Sequence, residues 1–155
     1  MGVSIYLSIA AINQDNETVF SIHTQERCDG LCLMLFNKTE DYVTGMKLNE
    51  ILNQEEIDFL NVTYGKESGS VGEGLEAFQP ILILNEEIKF AIHIIDKIIK
   101  FLNLKMIDEL NTPRDYQVRF LDSKQFDSQG LSQIRAGLEI ALQMKFKAYL
   151  FINDW

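Results

Sequence analysis

Nine carboxylates fall between residues 40 and 76: Glu40, Asp41, Glu50, Glu55, Glu56, Asp58, Glu67, Glu73 and Glu76, with only Lys47 and Lys66 to offset them. Carboxylates at close spacing can serve as a general acid and base when two of them converge on one substrate. Neighbours on a helix point about 100° apart, so Glu55 and Glu56 do not converge. Glu55 and Asp58 stand three residues apart and share a helix face, with Glu56 beside them. The arrangement suits a solvated acidic helix, or a surface whose field steers a basic protein toward it. Glu86 and Glu87 form another pair, explained by the positive end of the helix that follows them.

Other residues of chemical interest lack completing partners. Cys28 and Cys32 are the two cysteines. Their spacing is not the C-x-x-C of a redox or zinc motif, and no second pair is present. His23 would bring the ligand count only to three, so a buried thiol pair without metal is expected. The stretch Gly69-Ser70-Val71-Gly72-Glu73-Gly74 lacks the Lys-Ser/Thr ending of a phosphate loop, and Glu67, Glu73 and Glu76 would repel phosphate. It reads as a connecting loop. His93 has Asp96 three residues on, but no motif places a nucleophile beside them. A solvated histidine on a helix face is expected.

The charge is unevenly spread. Residues 1–80 carry 4 Lys/Arg and 13 Asp/Glu, whereas residues 81–155 carry 10 of each, so the net −9 of the chain belongs to its first half. With a pI near 4.7, nucleic acid and anionic membrane surfaces are not expected as ligands, because both require clustered Lys and Arg. A chain of 155 residues fits one domain with a core that needs no disulfide or metal. The first residues, MGVSIYLSIAAIN, lack the basic region of a signal peptide. Tyr6 stands where a myristoylation signal needs Ser or Thr. No apolar stretch reaches membrane-spanning length. A cytoplasmic protein with reduced thiols is expected.

The elements that must position these residues follow from periodicity. Val3, Ile5, Leu7, Ile9 and Ala11 alternate, giving a strand over 3–12. Asn13-Gln14-Asp15-Asn16 is turn chemistry, and 18–24 reads as its hairpin partner. The continuous apolar run 31–36 reads as a buried central strand. Residues 40–64 read as helical, with a start at Asn53. Asn85 is a candidate cap for a helix over 86–102. There Ile88, Ala91, Ile92, Ile95, Ile99 and Leu102 form a stripe that Phe90, Ile94, Ile98 and Phe101 widen past half the circumference. Such a helix must pack on two sides. Alternation over 116–121 gives a strand, 130–145 a helix, and 147–153 a final apolar strand.

The run LNEEIKFAIHIIDKI, then MIDEL, then the closing helix and AYLFIND resemble the second half of the YfbM-like bacterial proteins, which also tend to start Met-Gly as Met1-Gly2 does here. The resemblance covers roughly 81–153. Thr112-Pro113 stands where that family has a Tyr-Pro step. It implies a single α+β domain and carries no activity to particular residues.

The expectation is one α+β domain over 1–155, with a mixed or mostly antiparallel sheet of about five strands against two to four helices. Its expected function is that of an acidic cytoplasmic binding protein, an immunity-type inhibitor of a basic toxin or nuclease that docks through the nine acids. No catalytic residue, metal or cofactor is expected. The alternative is a small enzyme or metabolite-binding domain whose pocket draws on residues from unlinked parts of the chain.

Overall fold

The computed structural model describes residues 5–25, 28, 31–32, 34–35, 46–63, 80–110 and 117–154. Strands β1 (Ile5–Ile12) and β2 (Thr18–His23) form a hairpin. Its turn is built by Asn13, whose Oδ1 accepts the N–H groups of Asp15 and Glu17 at 2.9 Å each. Asn16 takes the left-handed conformation at φ 62°, one that Asn tolerates better than most residues. β3 (Ile81–Ile83) and β4 (Lys147–Asp154) complete an antiparallel sheet of order β2-β1-β4-β3. β4 pairs with the whole of β1, from Ile5 opposite Asp154 to Ile12 opposite Lys147.

The helices are α1 (Leu48–Ile51), α2 (Gln54–Thr63), α3 (Ile88–Leu110) and α4 (Gln117–Gln143). α4 packs on β1, β2 and β4, and α3 lies alongside α4. Two glycines let α4 approach the sheet. A Cβ at Gly137 would stand 2.8 Å from Ile22 Cδ1 and 3.1 Å from Ile9 Cγ2, and one at Gly130 would stand 2.8 Å from Thr24 Cγ2. Glycine inside a helix costs about 1 kcal/mol relative to alanine, and the close contact offsets that cost. The turn that follows α4 passes through Lys145, left-handed at φ 61°, with the Phe146 N–H bonded to the Ala141 carbonyl at 2.9 Å.

The core between sheet and helices joins Leu7, Ile9 and Ala11 of β1 with Ile81, Ile83, Ala148 and Leu150. From the helices come Ile88, Ile95, Ile98 and Leu102 of α3 and Leu131, Ile134, Leu138 and Ala141 of α4. Each such Leu or Ile contributes roughly 1.5–3 kcal/mol of burial. The broad stripe of α3 is used as its width requires: one flank meets α4 and the other meets α1 and α2. Ile99 is only half-buried. No helix among the described residues is long and apolar enough to cross a membrane.

Several elements differ from the sequence expectation. The run 31–36, expected as a strand, is helical at 31–32 and 34–35, and the Cys32 N–H bonds the Cys28 carbonyl at 2.9 Å. A short, continuously apolar run has no periodicity to separate strand from helix. Of the strand expected at 116–121, residues 117–121 are instead the start of α4, which begins at Gln117 rather than near 130, and Tyr116 lies outside the described residues. Five alternating residues were too few to outweigh the helix-compatible sequence after them. α3 runs to Leu110 instead of Leu102, and α4 with 27 residues is longer than α3 with 23. β3 was not foreseen because three residues are too few to show alternation. The described sheet therefore has four strands, not about five.

Asn85 was expected to cap α3. It lies instead in a 3-10 turn, Asn85–Glu87. Its Nδ2 donates to the Phe146 carbonyl at 2.8 Å and the Ala141 carbonyl at 3.4 Å, closing the C-terminal end of α4. The Leu84 N–H is satisfied by Glu87 Oε1 at 3.0 Å.

Two stability predictions follow from this packing. Ile95→Asp should cost about 4 kcal/mol or more, because it places an unpaired charge in the core. An unchanged urea midpoint would refute the placement of Ile95. Gly137→Val should cost about 1–3 kcal/mol by forcing the buried Ile9 off its rotamer. Chemical denaturation of that variant checks the α4–sheet contact.

Candidate functional site

Asn53 and Glu56 form a reciprocal cap at the start of α2. Asn53 Oδ1 accepts the Glu56 N–H at 2.9 Å, and Glu56 Oε1 accepts the Asn53 N–H at 2.9 Å. This is the N-cap with an acid three residues later that gives a helix its start signal. The same carboxylate reaches across to α3. Oε1 also accepts from Lys97 Nζ at 2.6 Å, and Oε2 lies 2.9 Å from His93 Nε2. A carboxylate only accepts, so the Nε2–H of His93 is the donor.

An apolar contact flanks this polar one. Phe59 of α2 packs edge-on to Phe90 of α3 at 5.0 Å, and Phe90 stacks on the His93 ring at 6.1 Å. The side chain of Glu56 is 2% exposed. Burial would push its carboxyl up, but the Lys97 ammonium, the Asn53 N–H and His93 outweigh burial and hold it below the ordinary value of 4.5.

Glu56, expected on a solvated face, is therefore withdrawn from any docking surface. His93 keeps an exposed ring but is bonded to Glu56 and not simply solvated. Asp96, imagined as its partner, is held by Arg135 of α4, with Nε to Oδ1 at 2.6 Å and Nη2 to Oδ2 at 3.3 Å. Arg135 also bonds Glu139 at 2.9 Å.

Glu50 of α1 and Glu55 and Asp58 of α2 are exposed. Asp58 accepts from the neutral Gln54 amide at 2.7 Å. Among the described residues Glu50, Glu55 and Asp58 make no ion pair. Glu40, Asp41, Glu67, Glu73 and Glu76, and the glycine-rich stretch 69–74, lie outside the described residues.

The two cysteines are free and buried, with sulfurs 3.5 Å apart. Among the described residues no three His, Cys, Asp or Glu side chains gather closely enough to hold a metal ion. Sequence reasoning missed one pair of reactive types. Ser8 Oγ and His23 Nδ1 are 2.7 Å apart on the sheet face opposite Ile9 and Ile22. Only the cross-strand register, Ser8 opposite His23, reveals them. Ser8 is 0% exposed, so this hydroxyl positions the histidine and does not present a nucleophile. The gap in the core beside Leu7, Phe59, Ile94, Ile98, Leu131 and Leu150 has apolar walls throughout its described lining.

No family model, curated protein or solved structure matches the chain.

Glu56→Gln should cost about 1–3 kcal/mol, since Lys97 and His93 lose a charged acceptor but are exposed enough to rehydrate. A carboxyl with a lowered folded value stabilises fully above the ordinary range, and that contribution disappears as pH falls through the folded value. The gap between wild type and variant should therefore be full above pH 4.5 and close on acidification. Urea unfolding at a series of pH values measures it.

Proposed function

We propose that the exposed carboxylates of α1 and α2 dock a basic protein, and that this chain is an acidic cytoplasmic binding protein. The supporting observation is a division among its acids. Asp96, Glu139 and Glu56 are each paired with a cation, whereas Glu50, Glu55 and Asp58, like Asp15, Glu17 and Glu86, stand exposed with no ion pair among the described residues; Glu50, Glu55 and Asp58 are the three that gather on α1 and α2. Unpaired surface carboxylates keep their long-range field and accelerate encounter with a positively charged partner. The partner class is a basic toxin or nuclease, inhibited when carboxylates take the places of substrate phosphates. The resemblance of residues 81–153 to YfbM-like proteins fits the single-domain reading and adds no activity. The apolar walls of the core gap weigh against the pocket-centred alternative, which needs convergent polar groups.

The test combines Glu50→Lys, Glu55→Lys and Asp58→Lys and leaves Glu56 in place. Association with a basic protein encoded beside this one is followed at low and physiological salt. The triple variant should associate about an order of magnitude more slowly at low salt, with a flatter salt dependence. Its stability should change by no more than about 0.5 kcal/mol per site. An unchanged rate and slope would make these acids bystander surface.

A further inference from the structure

The buried thiols play no part in the docking reading. Cys28 and Cys32 close one helical turn through the Cys32 N–H to Cys28 carbonyl bond of 2.9 Å, and their sulfurs are 3.5 Å apart. Residues four apart on such a turn have Cα atoms about 6 Å apart, inside the span of roughly 4.4–6.8 Å that a disulfide accepts. Bond formation requires the sulfurs to close by about 1.5 Å. Cys28 is 4% exposed and Cys32 0%. An oxidant must therefore be small or wait for local opening, and each thiol has the other within 3.5 Å.

We propose that Cys28 and Cys32 are a dithiol that a peroxide converts to an intramolecular disulfide. The Cys28 sulfur attacks one peroxide oxygen. An S–O bond forms, the O–O bond breaks, and the departing hydroxide takes the thiol proton and leaves as water. The Cys32 sulfur then attacks the sulfenic sulfur of Cys28. The S–S bond forms, the S–O bond breaks, and the second hydroxide leaves as water with the Cys32 proton. Two thiols give up two electrons and the peroxide takes them. Thr24 registers the change: its Oγ1 is 3.9 Å from Cys28 Sγ and accepts the Leu7 N–H at 3.3 Å, and its own N–H bonds the Leu7 carbonyl at 3.0 Å.

Trypsin cleavage after Arg27 and Lys38 leaves both cysteines in one fragment. The folded protein is treated with hydrogen peroxide, quenched, alkylated and digested. The fragment should be two hydrogen masses lighter and unalkylated, and dithiothreitol should restore alkylation at both sulfurs. Oxygen added at Met34 is read separately by fragmentation. In Cys28→Ser, Cys32 should stay open to alkylation. Two alkyl groups on the wild-type fragment, when the same treatment of the denatured chain closes the bond, would overturn the proposal. So would sulfinic acid at either cysteine, or disulfides between chains.

Discussion

A carboxylate taken out of water at Glu56 fixes what the acidic half of the chain can do. An unpaired ion at such a site costs several kcal/mol. The chain meets that cost with three donors from two helices: the Asn53 N–H, Lys97 Nζ and His93 Nε2. The cap starts α2, and the lysine and histidine fix α2 against α3, with Phe59 and Phe90 packed alongside. Folding thus uses one acid as a structural element. It also sets the direction in which Glu55 and Asp58 face, because all three share a helix whose rotation Glu56 determines.

This division bears on function. A paired carboxylate contributes little beyond a few ångströms, whereas exposed and unpaired ones add to a field that reaches about a Debye length. The excess of acids in residues 1–80 is therefore not a uniform surface property. Part is neutralised inside the fold, and part is turned outward on α1 and α2. The rest of the chain supplies the platform: an antiparallel sheet, with α4 held close to it through Gly130 and Gly137.

Much of this platform was legible in the sequence. The hairpin followed from the alternation in 3–12 and the Asn13–Asn16 turn chemistry, and the burial of α3 from its wide apolar stripe. The elements that were misread are short. Residues 31–36 and 116–121 present six residues each, too few for periodicity to decide between states, and β3 has only three. The site was legible in a different sense. Asn53 followed by Glu56 marked a helix start, but nothing local showed that the capping acid would also meet His93 and Lys97, some forty residues on. That encounter, like the approach of Ser8 to His23, depends on how helices and strands are brought together.

The most direct measurement is the side-chain titration of Glu56 by carbon-detected NMR, in wild type and in Lys97→Met. The account predicts that the Glu56 carboxyl titrates below its ordinary value of 4.5 and moves upward when Lys97 is removed. Titration at or above 4.5 with no response to Lys97→Met would contradict it, and would return Glu56 to the solvated acids of the surface.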